Sequence, residues 1–401
     1  MSGRRLDPRS AEPAYDVIRR FVDAGRIPGA VCAVGSSTGA LPPFAYGVAG
    51  WEPVQAAARP DTIYDCASLT KVVVTATLAL RFVEAGLLHL DEPVCRHVPE
   101  FVEGAGGSAG AGASPTTGRS PGSGTNSAPD AGPGSGARPE PAQDLSAARA
   151  RVTVRHLLTH TSGLPAWRPL YEAGTGRAPV LSALCATPLE RPPGTAVRYS
   201  CLGFILLGEI LTRLGGAGLD QLAAEMVFGP LGMADSMYCP PPALLPRIAP
   251  TERVDGRVLH GVVHDENARA LEGVSGNAGL FSTAGDLARF AQMLLSRGGN
   301  GPRLLSARAV AAATRCYTES LGGERRGLGW LLKGEAGGPA GDLFGPASFG
   351  HTGFTGTSIW IDPEADLFAV LLTNRVHPTR ANDAHLELRP RFHNALAAAL
   401  S

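Results

Sequence analysis

The chain has 401 residues, with 36 basic and 36 acidic side chains that cancel to a formal net charge of zero, and 44% of its residues are apolar. These values are typical of a globular protein with one large domain or two intertwined ones. They argue against a basic nucleic-acid-binding protein. With 18% charged residues and no polybasic or acidic tail, they also argue against binding to a membrane surface or a polyanion.

The N-terminal segment and the cysteines bear on where the protein works. Asp7, Pro8 and Arg9 stand where a signal peptide would need an apolar stretch. The longest apolar run, residues 72–80, is interrupted by two threonines and is shorter than the roughly 18 residues that span a bilayer. The seven cysteines are odd in number and include no C-x-x-C pair, which is typical of reduced thiols. The sequence therefore predicts a cytoplasmic protein.

The first predicted elements are a strand pair and a helix. Residues 29–36 and 43–49 are short apolar runs separated by Gly and Pro, which is typical of an antiparallel hairpin. Residues 71–88 follow a helical pattern. Residues 104–143 contain no Val, Ile, Leu, Met or aromatic side chain, so they cannot bury enough apolar surface to offset the entropy of ordering. We predict that they form a disordered Gly/Ala/Ser/Pro-rich insertion, with a helical pattern resuming at residues 152–161.

Two further helices are predicted in the middle of the chain. An apolar segment that follows Tyr199 ends at Gly215, which favours a buried helix over residues 202–214. Thr283 and Asp286 have the spacing of a capping box, and the amphipathic helix that follows them is expected to end at Gly298.

Near the C-terminus the pattern returns to strands. Residues 357–362 and 367–373 indicate a second antiparallel hairpin. Strands at both ends of the chain with helices between them favour one sheet assembled from both termini, with a helical region inserted into it. We expect an α/β sheet domain formed by residues 1–76 and 250–401, and a helical domain at residues 77–249 that contains the insertion.

Two G-x-S-x-G matches are poor candidates for a catalytic nucleophile. The first, residues 35–39, follows a predicted strand but leads into Pro42, Pro43 and another strand, where a nucleophile elbow needs a helix. We interpret it as a hairpin turn. The second, which contains Ser120, lies inside the predicted disordered insertion and cannot hold a preorganised site.

An S-x-x-K tetrapeptide, Ser68 to Lys71, is a better candidate. It opens a predicted helix, and i, i+3 spacing places the hydroxyl and the amine on one helix face. The field of the helix N-terminus disfavours a protonated Lys71, and free N–H groups there can donate to an oxyanion. Arginine supplies nearly all the basic residues and lysine occurs only at Lys71 and Lys333, which favours a chemical role for Lys71. The alternative is a capped helix with a solvated lysine.

Two more short motifs complete the pattern, the Tyr-Ser-Cys of residues 199–201 and the His-Thr-Gly of residues 351–353. Each alone is typical of packing or of a tight turn. Their order after the tetrapeptide resembles the serine β-lactamase-like hydrolases, which include class C β-lactamases, low-molecular-mass penicillin-binding proteins, esterases and D-aminopeptidases. The likeness runs through YDCASLTK at 64–71, RHLLTHTSGL at 155–164, YSCLG at 199–203 and GHTG at 350–353.

The resemblance implies an α+β fold of the β-lactamase/transpeptidase type, in which an antiparallel sheet is flanked by helices and the site lies in a cleft beside a helical domain. It implies that Ser68 is the acylated nucleophile, that Lys71 activates it, and that Tyr199 carries the proton to the leaving group and later activates water. The strand with His351, Thr352 and Gly353 would line the cleft. The backbone N–H groups of Phe354 and Ser68 would form the oxyanion hole.

Two departures from the family pattern bear on the substrate. Cys201 stands where many members carry Asn, whose amide binds the substrate's amide group. His351 stands where β-lactamases and penicillin-binding proteins carry a Lys that holds a substrate carboxylate, and an ordinary His is mostly neutral at pH 7. Both changes resemble the esterase and aminopeptidase branches.

Two other segments resist a functional assignment. His156 and His160 are spaced i, i+4, but no Glu completes an H-E-x-x-H motif, so we interpret them as structural rather than as metal ligands. The segments 264–268 and 276–283 resemble a subgroup associated with cell-wall fragments, no role can be given to their side chains, and a structural loop is an equal alternative.

These observations together predict a serine hydrolase that forms an acyl-enzyme on Ser68 and acts on small esters or D-amino-acid-type amides. The alternatives are a D,D-carboxypeptidase or β-lactamase, and a catalytically silent binder of peptidoglycan fragments. We expect a small-molecule substrate, no metal or other cofactor, no nucleic acid and no membrane, and the oligomeric state stays open.

Overall fold

The computed structural model describes residues 6–53, 55–103, 145–296, 303–335 and 338–400. The predicted insertion, the motif around Ser120 and the predicted helix end at Gly298 lie outside these ranges.

A seven-stranded antiparallel sheet is the centre of the fold. The strands of the protein are β1 Gly29–Ser36, β2 Gly39–Ala40, β3 Phe44–Gly47, β4 Tyr64–Asp65, β5 Arg253–Val254, β6 Arg257–Val258, β7 Phe281–Ser282, β8 Leu331–Leu332, β9 Phe349–Thr352, β10 Ser358–Asp362 and β11 Leu367–Thr373. The strand order in the sheet is β2-β1-β11-β10-β9-β8, and β3 also pairs with β1. Two short strand pairs, β4–β7 and β5–β6, lie outside the sheet.

Helices cover the sheet and form the middle of the chain. A π-helical turn, Lys71–Ala76, continues directly into α2, and a second, Ala224–Phe228, joins α7 to α8. The α-helices are α1 Glu12–Asp23, α2 Thr77–Glu84, α3 Glu100–Glu103, α4 Val154–Leu158, α5 Arg177–Ala186, α6 Cys201–Gly215, α7 Leu219–Ala223, α8 Gly229–Leu231, α9 Glu266–Ala270, α10 Ala284–Leu295, α11 Ala307–Ala313 and α12 His385–Leu400.

The sheet is assembled from both ends of the chain, as predicted. Strand β1 pairs with β11 from Ala30 opposite Thr373 to Gly35 opposite Phe368. Both predicted hairpins are present, because β1 pairs with β3 and β10 pairs with β11. The division into two domains at residues 76 and 250 stays a prediction.

Alternate residues of β1 belong to different apolar cores, as the period of two requires. Ala30, Cys32 and Val34 pack in a cluster with α1 and α12, whereas Val31 and Ala33 pack in the larger cluster that contains α10 and the helical region. Because both faces are covered, β1 and β11 are buried along their whole length.

Helix α6 confirms the prediction of a buried helix that ends at Gly215. It is buried along most of its length and begins at a cap, where Gly203 N donates to Ser200 Oγ at 3.2 Å. It ends where Gly216 adopts a φ of 64°, a left-handed conformation that glycine takes without strain.

Three predicted helical features differ in detail. Thr283 caps α10 by accepting from Asp286 N, but the carboxylate of Asp286 accepts from Asp235 N and Ser236 Oγ, so the reciprocal half of the box is not made. The first predicted helix ends at Glu84. The pattern at 152–161 yields only α4, and His160 beyond it has a φ of 58°, outside the helical region.

Within the described ranges, no single helix is long and apolar enough to span a membrane. The segments Cys201–Gly215 and Leu219–Leu231 reach that length and hydropathy only together, across a bend of 80°.

Candidate active site

A strained turn between β4 and the π-helical turn carries Ser68, which is partly exposed. Ala67 has a φ of 45°, unusual for a residue with a side chain, and its N–H donates to Asp65 Oδ1 at 2.8 Å. Two threonines from the loop after β9 bind the same turn, since Thr355 Oγ1 donates to Asp65 O at 2.7 Å and Thr357 Oγ1 donates to Cys66 O at 3.1 Å. The loop that follows β9 therefore fixes the position of the turn that carries Ser68.

The side chain of Lys71 is directed at Ser68 and is completely buried. Its Nζ lies 3.0 Å from Ser68 Oγ, donates to Asn277 O at 2.9 Å, and lies 3.5 Å from Cys201 Sγ. The alternative reading of a solvated lysine on a capped helix is therefore wrong. The tetrapeptide brings its hydroxyl and its amine into direct contact.

The protonation of Lys71 differs from the expectation. Burial by itself lowers the pKa of Lys71, but the ionised forms of the neighbouring Cys201 thiol and Tyr199 phenol favour the ammonium, and the pKa lies above its ordinary value. The cause is tertiary, because both of these residues come from a segment about 130 positions further along the chain.

Tyr199 lies among aromatic and cationic groups. Its ring centroid is 4.5 Å from that of His160 and 6.0 Å from that of His351, and Lys71 Nζ lies 5.1 Å from it. Burial raises the pKa of the Tyr199 phenol, and the charge of the nearby Lys71, the largest of the opposing effects, offsets only part of this rise. The phenol is therefore protonated at neutral pH and adjoins both members of the tetrapeptide.

Cys201 is the first residue of α6 and lies beside Lys71. Burial raises the pKa of its thiol, so it is a neutral, weak hydrogen-bonding group at neutral pH. No role was predicted for Asn277, yet its carbonyl is an acceptor for Lys71, while its Oδ1 accepts from Ser275 Oγ at 2.7 Å. No local signal marks this contact, because a main-chain carbonyl is common to every residue type.

Strand β9 carries His351, Thr352 and Gly353 towards the nucleophile turn. His351 is buried, its Nδ1 donates to Thr352 O at 2.9 Å, and its Nε2 has no hydrogen-bond partner among the described residues. Burial first, and then the charges of Arg326 and Lys71, hold the pKa of His351 well below its usual range. The imidazole is therefore neutral.

Gly353 is required by the close approach of the strand to the turn. A Cβ at this position would overlap Thr357 Oγ1 and would lie 2.6 Å from Cys66 O. Only a residue without a side chain lets the two backbones meet here.

Phe354 follows at the position expected to supply an oxyanion donor. In the described part of the chain, neither its N–H nor that of Ser68 has an acceptor. The Phe354 carbonyl accepts from Arg375 Nε at 2.8 Å, and its ring stacks on His264 with centroids 5.6 Å apart.

The segment at 264–268 buttresses the site from behind. His264 N donates to Asp65 Oδ2 at 2.7 Å, and its Nε2 lies 2.9 Å from Glu252 Oε2, which also accepts from Arg380 Nε at 2.7 Å. Burial opposes the charge of Glu252, but hydrogen bonds from His264 and Arg380 lower its pKa to about 2. These contacts give the segment the structural role that the sequence left open.

The remaining candidates have local structural contacts. His156 Nδ1 accepts from Thr153 N at 3.2 Å in the cap of α4, and His160 Nδ1 accepts from Ser200 N at 3.0 Å.

In the first G-x-S-x-G match, Ser37 lies in the turn between β1 and β2 and donates to Asp366 Oδ2 at 3.0 Å.

Comparison with known proteins identifies the class to which this fold and site belong. The model of the family described as Beta-lactamase matches residues 15–390, so the chain belongs to that family. The resemblance, the α+β fold of the β-lactamase type and the enzyme class, a serine hydrolase, are thereby confirmed.

Particular relatives support the same placement. A putative D-alanyl-D-alanine carboxypeptidase of Escherichia coli (strain K12) is 30% identical over 358 residues, which cover 81% of this chain and 71% of that protein. A penicillin-binding protein homologue from Caulobacter crescentus has a TM-score of 0.70 at 21% identity and covers both chains completely. EstCE1, a hydrolase with promiscuous acyltransferase activity, has a TM-score of 0.69 at 21% identity over 96% of this chain and 98% of its own. The two structural likenesses show the fold.

Proposed function

We propose that this protein hydrolyses small esters or D-amino-acid-type amides through an acyl-enzyme on Ser68. One observation carries the proposal: Lys71 is fully buried, and its Nζ lies 3.0 Å from the Oγ of the partly exposed Ser68. A buried amine held against a serine hydroxyl is the arrangement that nucleophilic catalysis needs.

The proposed reaction begins when Ser68 Oγ attacks the acyl carbon and passes its proton to Lys71 Nζ, which accepts it as the neutral amine and returns it to Ser68 Oγ when the acyl group is released. The tetrahedral oxyanion accepts hydrogen bonds from Ser68 N and Phe354 N. Tyr199 then protonates the leaving group, and in the second half-reaction it activates the water that releases the acyl group. Cys201, His351, Thr352 and Gly353 line the cleft in which the substrate lies.

The preference for esters rests on the neutrality of two side chains. A β-lactam or a D-alanyl peptide presents a carboxylate, for which the buried, neutral imidazole of His351 supplies no charge. The Cys201 thiol is a poor partner for a substrate amide. A small activated ester needs chiefly the nucleophile and the oxyanion donors.

A D,D-carboxypeptidase is the second candidate, because the Escherichia coli relative bears that name and a guanidinium lies near His351. The Cζ of Arg326 is 5.3 Å from the Tyr199 ring centroid, and its Nη1 has no hydrogen-bond partner in the described ranges. Release of D-alanine from a peptide ending in D-Ala-D-Ala, lost in Arg326→Met while ester hydrolysis persists, would establish this candidate.

The proposal also covers the class of substrate, the binding partners and the cellular location. We expect a small-molecule substrate, no nucleic acid and no membrane, and a cytoplasmic location in which the seven free cysteines stay reduced. Cell fractionation tests the location.

Covalent labelling tests the proposed chemistry. The purified protein is treated with a fluorophosphonate, which phosphonylates an activated serine, and its intact mass and esterase activity are measured. We expect one adduct, absent in Ser68→Ala and retained in Ser37→Ala, with hydrolysis following the same pattern. An unlabelled wild-type protein that still binds peptidoglycan fragments would instead indicate a silent binder.

A further inference from the structure

A buried arginine from the C-terminal helix binds the peptide that joins Gly353 to Phe354. Arg389 lies in α12, and its Nη2 donates to Gly353 O at 2.7 Å and to Thr357 O at 2.8 Å. The Thr357 carbonyl also accepts from Gly353 N at 2.7 Å, which closes the turn between β9 and β10. Arg389 is 2% exposed.

The contact determines the direction of the Phe354 N–H. The carbonyl of Gly353 and the N–H of Phe354 belong to one trans peptide unit and point in opposite directions. Because Arg389 binds the carbonyl, the N–H points away from α12. The same backbone lies against the nucleophile turn, since a Cβ on Gly353 would be 2.6 Å from Cys66 O and 3.4 Å from Ala67 Cβ.

The charge of Arg389 has no counterion in the described part of the chain. Its hydrogen-bond acceptors there are carbonyls, and its Nε has no partner. Burial, and next the nearby Arg375, lower the pKa of Arg389 to about 9, so the cation persists at neutral pH. Burial of an unpaired charge lowers the stability of the fold, and hydrogen bonds to two carbonyl oxygens offset only part of that loss.

A cation on the carbonyl of an amide also strengthens the N–H of that amide as a donor, because hydrogen bonds in a chain polarise one another. Arg375 restrains the other side of the same residue, since its Nε donates to Phe354 O and its Cζ lies 4.3 Å from the ring centroid of Phe354. The Phe354 N–H is thus fixed between two arginine-bound carbonyls.

We infer that Arg389 is a positioning residue of the oxyanion hole, which orients and polarises the Gly353–Phe354 peptide so that Phe354 N–H donates to the tetrahedral oxyanion on Ser68. The inference rests on the proposed function, because it assumes acyl transfer to Ser68. It assigns a role in the chemical step to a residue that does not touch the substrate.

A matched pair of variants separates this role from simple stabilisation. Arg149 is equally buried and likewise donates to backbone carbonyls, those of Phe101, Cys185 and Thr187, but it lies in the helical region. Arg389→Met and Arg149→Met are compared for Tm, for kcat and KM with an aryl ester, and for inhibition by an aryl boronic acid, which mimics the tetrahedral oxyanion.

We expect both variants to lower Tm, and only Arg389→Met to lower kcat, by about 100-fold, with KM within about threefold of the wild-type value. The expected loss follows from the 10²- to 10³-fold cost of removing an oxyanion donor. Boronate affinity should fall in parallel with kcat, and Arg389→Lys should recover part of both. Arg149→Met should keep kcat within about twofold.

The inference is overturned if Arg389→Met keeps its kcat and boronate affinity, or if Arg149→Met loses them to the same extent. If Arg389→Met does not fold, Arg389→Lys decides: an intermediate loss of both quantities supports the inference and wild-type values overturn it. Failure of the proposed function has a different signature, namely a wild-type protein that no fluorophosphonate labels at Ser68.

Discussion

The surroundings of Lys71 explain why an amine stands at this position in a chain whose other basic residues are almost all arginine. Three groups surround its Nζ in a fully buried space: Ser68 Oγ, Asn277 O and Cys201 Sγ. A compact ammonium can make these contacts and still exchange a proton with the hydroxyl. A guanidinium is planar, larger and does not give up its proton.

We therefore predict that Lys71→Arg is nearly as damaging as Lys71→Ala, with kcat for an aryl ester reduced more than 100-fold in both. The comparison uses steady-state kinetics on variants with matched Tm. Lys333→Arg is the control, because it alters the chain's other lysine, which is largely buried just after β8, where its N–H donates to Ser348 O at 2.9 Å. Substantial activity in Lys71→Arg would show that Lys71 acts as a fixed positive charge, which its raised pKa also permits.

The neutral imidazole of His351 leads to a prediction about substrate choice. A hydrogen bond to a charged group contributes roughly 1.5 to 3 kcal/mol, and about 1.4 kcal/mol corresponds to a factor of ten in rate when the contact is made in the transition state. We expect a short-chain aryl ester to exceed a cephalosporin at least tenfold in kcat/KM. His351→Lys should narrow that difference.

Both substrates are measured on both proteins, so that a general loss of activity in the variant is visible on the ester. A cephalosporin that equals the ester on the wild-type enzyme would make this protein a β-lactamase despite the neutral imidazole.

At the scale of elements, the site depends on how closely β9 approaches the turn after β4. Thr355 and Thr357 bind the carbonyls of Asp65 and Cys66, and Gly353 leaves no space between the two backbones. The approach brings the backbone beside Phe354 close to the backbone beside Ser68. A small displacement of the strand would separate the two N–H groups that we propose as oxyanion donors.

Gly353→Ala is expected to displace the strand. The added Cβ would meet Cys66 O and Thr357 Oγ1, and overpacking of this kind typically costs about 1–3 kcal/mol of stability. We predict a lower Tm together with a loss of kcat of at least tenfold. Gly39→Ala serves as the control, because nothing lies within 4 Å of a Cβ at that position and its φ is not positive. A variant with wild-type kcat would show that the strand position is not critical.

The sequence and the structure agree best where an element has a strong local pattern. The hairpins at both termini and α6 were predicted because their apolar runs end at Gly or Pro. The helix at 152–161 was predicted too long. Its apolar spacing continues to the end of that range, whereas the helical backbone conformation ends at Leu158 and His160 has a positive φ. Tertiary contacts, such as the one between His160 and Ser200, override local preference at such ends.

At the scale of the whole molecule, the two sides of the predicted insertion are in direct contact. Arg149 Nε donates to Phe101 O at 2.6 Å, and its Cζ lies 4.1 Å from the Phe101 ring centroid. The fold is therefore closed at this point by residues that flank the segment. The composition of residues 104–143 offers no apolar surface to a core.

We predict that deleting residues 106–139 leaves kcat/KM within about twofold and Tm within about 3 °C of the wild-type values. The reason is that loop length contributes little to stability, about 0.6 kcal/mol per doubling. Differential scanning calorimetry and ester kinetics check both quantities. A large loss of activity at unchanged Tm would show that the segment takes part in the reaction.

Short sequence motifs and their order along the chain were enough to recognise the family. The S-x-x-K spacing, the Tyr-Ser-Cys and His-Thr-Gly motifs and their order could all be read from the chain, because they depend on the identity of side chains at short separation. The strands at both termini could be read as well, since a period-two apolar pattern needs no partner to be visible.

Other features exist only once the chain is folded. Asn277 binds Lys71, and Arg389 and Arg375 bind the residues around the Phe354 N–H, all through main-chain carbonyls. Such contacts leave no signature in residue type or spacing. The raised pKa of Lys71 has the same origin, because Cys201 and Tyr199 reach it from a distant part of the chain. The nucleophile could thus be identified from the sequence, whereas the contacts that orient the site and shift the pKa of Lys71 depend on the tertiary fold.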